Sequence, residues 1–436
     1  MQAMLAFENA PPFSAPLRFF LSAPLFAVLA GLLVAFEGPD IFASRWTPGA
    51  LAATHLITIG FMLQIMLGAL IQILPVVAGA SLQRPLAVAR VVNVGLSAGA
   101  LLLAAGFLSG RPALLGSAAF ILGLTMLLFL AVTVTALIGV PSTSPTIRGI
   151  KFALFGLLAA VGLGIVLALT LAYGWSFPMV ALADLHAAWG LGGWAGVLLA
   201  AMAYVVVPMF QLTPGYPARA SWWFPGFMLA MLLLWSAGLL ADWPLLARLG
   251  QLGCALAGIA FAGLTLRLQG KRRRARPDTT YRYWQMGLTA AIFALFLLSA
   301  AAIWPAAADL DGWALIVGVL LIAGGFIPFI AGMLYKIVPF LSWMHLQNCG
   351  QAKVPAPAMN KMLSELGMHR QMLAYAAALA LLLAAIIFPA GLARPAGLAF
   401  AAANGWLCLN LAGAALRYRQ HRADIEAKLA ARLSTP

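Results

Sequence analysis

GFMLQIMLGALIQILPVV, residues 60–77, decides the fold, because the chain writes its pattern three times. Residues 193–210 read GWAGVLLAAMAYVVVPMF, and residues 324–341 read GGFIPFIAGMLYKIVPFL. In each copy a glycine (Gly60, Gly193, Gly324) stands fifteen positions before a proline (Pro75, Pro208, Pro339) that bulky apolar residues flank. Seven positions before each proline is a small residue: Gly68, Ala201 or Gly332. Two small residues eight apart share broadly one helix face, and such a face lets helix backbones approach closely inside a membrane. The prolines are 133 and 131 residues apart, so 436 residues accommodate three units of four helices each.

Composition points the same way. The chain is 64% hydrophobic and 8% charged, with mean hydropathy +0.98, which excludes a soluble domain of this size. Apolar runs long enough to cross about 30 Å of hydrocarbon recur throughout. They predict twelve spans, near 18–36, 50–78, 86–108, 112–139, 149–173, 179–209, 221–241, 245–267, 285–305, 312–343, 369–389 and 394–416. The expected fold is therefore an all-α polytopic membrane protein. One transmembrane domain covers residues 1–436, with pseudo-repeats at 17–139, 149–268 and 285–417. The second, sixth and tenth spans carry the motif and are expected innermost, with the three prolines near helix ends. The first span lacks a convincing cleavage site and reads as a retained helix. Cys254, Cys349 and Cys408 have no paired spacing, so no disulfide framework is expected.

The basic residues set an orientation. With the N-terminus inside, 22 of 26 fall on the cytoplasmic side, leaving Arg45, Arg111, Arg248 and Arg394 outside. Glu37, Asp40, Asp242, Asp309 and Asp311 collect on that outer side. The reading is N-in and C-in, in a bacterial-type inner membrane. A net charge of +15 could suggest nucleic acid, with 271–276 (KRRRAR) as the contact. That run sits between two spans, however, where basic loops fix topology and touch anionic headgroups, so no nucleic-acid partner is expected.

Polar groups at membrane depth are costly and tend to have a task. His345, His369 and His421 sit at the cytoplasmic edge and read as interfacial; His345 with Cys349 is too thin a spacing for a metal site. His55 and His186 differ. Both lie early in motif-bearing spans that run inward, twenty residues before Pro75 and twenty-two before Pro208. They are the candidate cofactor- and metal-binding residues, either holding a haem iron from opposite faces or sharing a copper ion. The alternative is a histidine pair that merely bonds across helices. The two-residue offset turns one relative to the other unless a bulge absorbs it. Asp184, the tryptophans Trp46, Trp189 and Trp194, and the methionines Met62, Met66 and Met202 are the neighbours expected around such a site.

Twelve spans in three groups, with histidines on the second and sixth, resemble the catalytic subunit of haem-copper oxidases and nitric oxide reductases. The opening PLRFF (16–20), Thr54-His55-Leu56 and the closing Leu74-Pro75-Val76 resemble still more the NnrS-like membrane haem and copper proteins linked to nitric oxide stress. The resemblance implies a threefold helix ring, haem b and copper as cofactors, and respiratory or denitrification partners. It places His55 at a low-spin haem position and His186 at a copper position. Departures are equally clear: residues 221–241 lack the oxidase histidine pair, and residues 312–342 lack the haem histidines. Lys336 and Tyr335 are the notable inner-half candidates for proton uptake, so a proton-pumping oxidase is not expected. Two classes stay open: a redox, nitric oxide-related or metal-handling haem/copper protein, and a permease or respiratory assembly factor without a redox centre.

Overall fold

The computed structural model describes residues 9–274, 276–351 and 353–434. Among these no strand forms, and twelve helices are long and apolar enough to cross a membrane. They are α1 (Ser14–Phe42), α2 (Pro48–Ala78), α3 (Pro85–Ser109), α4 (Pro112–Leu137), α5 (Pro145–Tyr173), α6 (Met179–Gln211), α7 (Ala218–Leu240), α8 (Pro244–Gly270), α9 (Thr279–Ile303), α10 (Trp313–Cys349), α11 (Glu365–Ile387) and α12 (Pro389–Arg432). An even number of crossings returns the chain to its starting side.

The boundaries follow local chemistry. Pro48, Pro85, Pro112, Pro145 and Pro244 occupy first-turn positions where the missing N–H costs nothing. Thr47, Ser144, Asp278 and Ser364 cap first turns with side-chain oxygens. Gly79, Gly110 and Gly174 stop helices in the left-handed conformation that suits glycine.

The helices pack in sequence around a ring, and α12 closes it against α1. There Gly31 and Gly397 face one another so closely that a Cβ at either would strike the other helix's backbone. Inside the ring one arrangement occurs three times. α2, α6 and α10 each contain a widened π-helical stretch: Leu56–Leu63, Trp189–Gly196 and Leu320–Phe326. Each stretch begins nineteen positions before its helix's motif proline. Each packs on the preceding helix: α1, α5 and α9 respectively. Gly60 sits against Phe26, Gly193 against Gly156, and Gly324 against Ala290. One turn-pair further on, Gly68 meets Phe19, Ala201 meets Gly149, and Gly332 meets Tyr283. The partner residues are themselves seven apart on all three outer helices, so both sides of the contact share one spacing.

Two expectations need correction. Pro75 and Pro208 lie in the last turn of their helices, but Pro339 is interior, with α10 continuing ten residues to Cys349. α12 runs far beyond residue 416, because hydropathy falls there while the strong helix formers Ala, Arg, Leu, Glu and Lys continue. Its polar extension packs Ile425 against Leu346, Val354 and Met362, and Arg417 Nη1 donates to the Met362 carbonyl at 2.6 Å. Each of α2, α6 and α10 has only two exposed residues along its length (Pro48 and Thr54, Val180 and Ala187, Gln347 and Asn348), so all three lie inside the bundle as expected.

Candidate functional site

His55 and His186 meet. Their ring centroids are 6.1 Å apart and the planes are within 14° of parallel. Each histidine lies seven residues after the first residue of its helix, about 10 Å of helical rise, which equalises their depth. The widened stretches lie on the far side of both histidines at equal distance from the prolines. They leave the two-residue offset in place, and the rings converge without a compensating bulge. Such π-helical stretches concentrate at functional sites.

Each ring is fixed by one backbone carbonyl. His55 Nδ1 lies 2.8 Å from the Leu51 carbonyl one turn earlier, and His186 Nδ1 lies 2.9 Å from the Ala160 carbonyl on α5. A carbonyl only accepts, so both Nδ1 atoms carry the proton and both Nε2 lone pairs are left to act as donors. A metal-ligating histidine is oriented in this way, through its second nitrogen. The α5 contact depends on Gly164: a Cβ there would lie 2.9 Å from His186 Cε1 and 3.3 Å from Nδ1. With no side chain at 164, the imidazole can reach the Ala160 carbonyl. Phe107 on α3 packs on the other histidine, 5.2 Å between the His55 and Phe107 ring centroids.

Both imidazoles are half-buried and face a cavity of about 1220 Å³ that all twelve helices help to line. That exceeds the roughly 300–1,000 Å³ of ordinary small-molecule pockets. Its wall is mainly apolar; Arg45, Trp46, Asp184, Arg248 and Asp309 line it toward the helix ends and loops on the side away from the termini. Arg45 Nη1 donates to Asp184 Oδ1 at 2.7 Å, with both side chains roughly one-third exposed, and the guanidinium also lies 4.7 Å from the Trp46 ring centroid. Asp184 is thus the partner of a cation at the cavity rim.

Not all expected neighbours are there. Met62, Met66, Trp46 and Trp194 line the cavity. Trp189 instead turns to α7, where its Nε1 donates to Ser236 Oγ at 3.0 Å, and Met202 packs into the apolar core. Lys336 and Tyr335 are remote from the histidines: Lys336 Nζ pairs with Asp278 at 2.7 Å, while Tyr335 donates to Gln371 and accepts from Asn410. His345 stacks on Phe13, and Cys349 is 3.9 Å from Glu426. Among the described residues no three His, Cys, Asp or Glu side chains converge as a metal cage.

Two imidazoles therefore form the whole histidine donor set, two short of a closed tetrahedral zinc site. No protein-family model matches the chain, and no curated protein matches it significantly.

Proposed function

We propose that the protein is a membrane haem protein in which His55 and His186 would hold one haem b, serving electron transfer rather than dioxygen reduction. The observation that carries this reading is the pair of near-parallel imidazoles 6.1 Å apart, each tied by Nδ1 to a carbonyl. The resemblance to oxidases assigns the two histidines to separate centres; their convergence supports one shared centre. Haem iron held by two imidazoles supplies one-electron transfer. With both rings engaged, no protein-side position remains for a gas, which favours electron transfer over direct turnover of nitric oxide. Arg45 would meet an anionic edge group at the rim, and the apolar wall would exclude water. A copper ion held by the same two imidazoles, with Met62 and Met66 on the cavity wall as soft donors, is the second reading. A lone ion has no use for 1220 Å³, and that volume favours haem.

The same reading takes the recurring Gly60, Gly193 and Gly324 contacts as a threefold repeat of four helices. The 22 basic residues on one side support a cytoplasmic placement of both termini, and the helical rather than barrel form suits a bacterial-type inner membrane. Electron donors and acceptors would be respiratory or denitrification proteins at that membrane. The test is iron, copper and the optical spectrum measured on one purified sample. The expected result is one haem per chain, and none in the His55→Ala/His186→Ala double variant. Wild-type protein carrying neither haem nor copper would sink the redox reading in favour of a permease or assembly role.

A further inference from the structure

A second cleft lies at the opposite end of the bundle, between the first turns of α5 and α7. It has a volume of about 590 Å³ and is lined by Ser142, Arg148, Lys151, Phe152, Trp222 and Leu229, with Phe155 at its lipid-facing margin. Arg148 and Lys151 stand three and six residues after the first residue of α5, about 4.5 and 9 Å along the helix. That is the positive end of the helix dipole, where cations are disfavoured unless an anion joins them. Neither forms an ion pair among the described residues, whose carboxylate partners go to Arg45, Arg274, Lys336 and Arg422.

The guanidinium is nevertheless held in place. Its Cζ lies 4.7 Å from the Trp222 ring centroid, 5.4 Å from Phe152 and 5.5 Å from Trp223. One nitrogen rests over Gly226, where a Cβ would come within 3.3 Å. Lys151 is anchored too, its Nζ donating to the Val140 carbonyl at 2.6 Å. Two positioned cations therefore have aromatic and backbone support and no counter-charge. Phe155 and Trp223, both largely exposed, continue the cleft toward the lipid-facing surface.

We propose that this cleft binds the phosphate of an anionic phospholipid headgroup, with Arg148 and Lys151 as the charge partners and the acyl chains running down past Phe155. The depth, the aromatic rim and the opening toward lipid suit a lipid phosphate better than a soluble one. Interfacial basic residues of this kind attract anionic headgroups.

Full-length protein in detergent, mixed with phosphatidylglycerol or phosphatidylcholine, would be read by native mass spectrometry. Wild type should retain phosphatidylglycerol over phosphatidylcholine by about tenfold, and Arg148→Gln should remove that preference. Arg219→Gln, which deletes an equal charge from the first turn of α7 outside the cleft, should keep it. Equal loss in both variants would reduce the effect to bulk charge and overturn the site. Displacement by inorganic phosphate in large excess would mark a soluble-phosphate site and overturn the lipid assignment. A headgroup-labelled photoreactive phosphatidylglycerol tests unsubstituted protein, so misfolding of a variant cannot hide the answer. Crosslinks should fall within 142–155 or 218–230, and crosslinks spread over other basic loops would refute the proposal.

Discussion

Gly164→Ala separates cofactor retention from stability, because the two should move in opposite directions. The new Cβ would lie 2.9 Å from His186 Cε1 and 3.3 Å from Nδ1, inside ordinary van der Waals contact. The ring would have to withdraw by roughly half an ångström or rotate about its bond to the backbone, which lengthens or breaks the 2.9 Å contact with the Ala160 carbonyl. Removing such an orienting partner typically weakens metal binding about 10–100-fold. The helix itself gains, since alanine is favoured over glycine in a helix interior by about 1 kcal/mol. Gly162→Ala supplies the control: it sits two residues away in α5 and nothing lies within 4 Å of its new Cβ. Haem titrated into detergent-solubilised apoprotein should show affinity lowered at least about tenfold in Gly164→Ala and unchanged in Gly162→Ala. The apoprotein unfolding temperatures of both should equal or exceed wild type. Unaltered haem affinity in Gly164→Ala would refute the role given to His186 orientation. Equal losses of haem in both variants would place the effect in the helix rather than in the ring.

Alanine at His55 or His186 should abolish or sharply alter cofactor binding while the protein still inserts, whereas alanine at His345, His369 or His421 should leave the optical spectrum intact. Leucine at Gly60, Gly193 or Gly324 should overpack the contacts with Phe26, Gly156 and Ala290, lowering stability by about 1–3 kcal/mol in denaturant or thermal assays; an unchanged stability would show those contacts to be loose. Asp184→Asn should loosen Arg45 and change access to the cavity rim without removing the haem, read as a faster exchange with apo-myoglobin. A reporter at the C-terminus should be active only in the cytoplasm, and one near Asp40 only outside; the reverse would overturn the orientation.

The fold was legible where the cost of burial writes itself into composition. Twelve apolar runs have no other stable home than helices in a membrane, and most boundaries fell within a few residues of the proline, glycine and capping positions. The contact glycines were legible too, because close backbone approach demands small residues at fixed spacing. His55 and His186 stood out because a polar group at membrane depth contrasts with so apolar a chain. Their supports did not. Gly164 looks like any of 42 glycines, and its importance lies in clearing the path to the Ala160 carbonyl on the same helix. A π-helical stretch leaves no signature in hydrophobic spacing, since every face of these helices is apolar. The direction of Trp189 depended on Ser236, a hydroxyl forty-seven residues away. The extension of α12 was missed because hydropathy reports the membrane and not the helix.

As proposed, His55 of α2 and His186 of α6 would share one haem. Electron paramagnetic resonance of the oxidised, haem-loaded protein measures this directly, because two imidazole ligands enforce a low-spin iron. One low-spin ferric signal per chain is expected, converting to high spin when either His55 or His186 becomes alanine. A high-spin wild-type signal, or a low-spin signal that survives both substitutions, would contradict it.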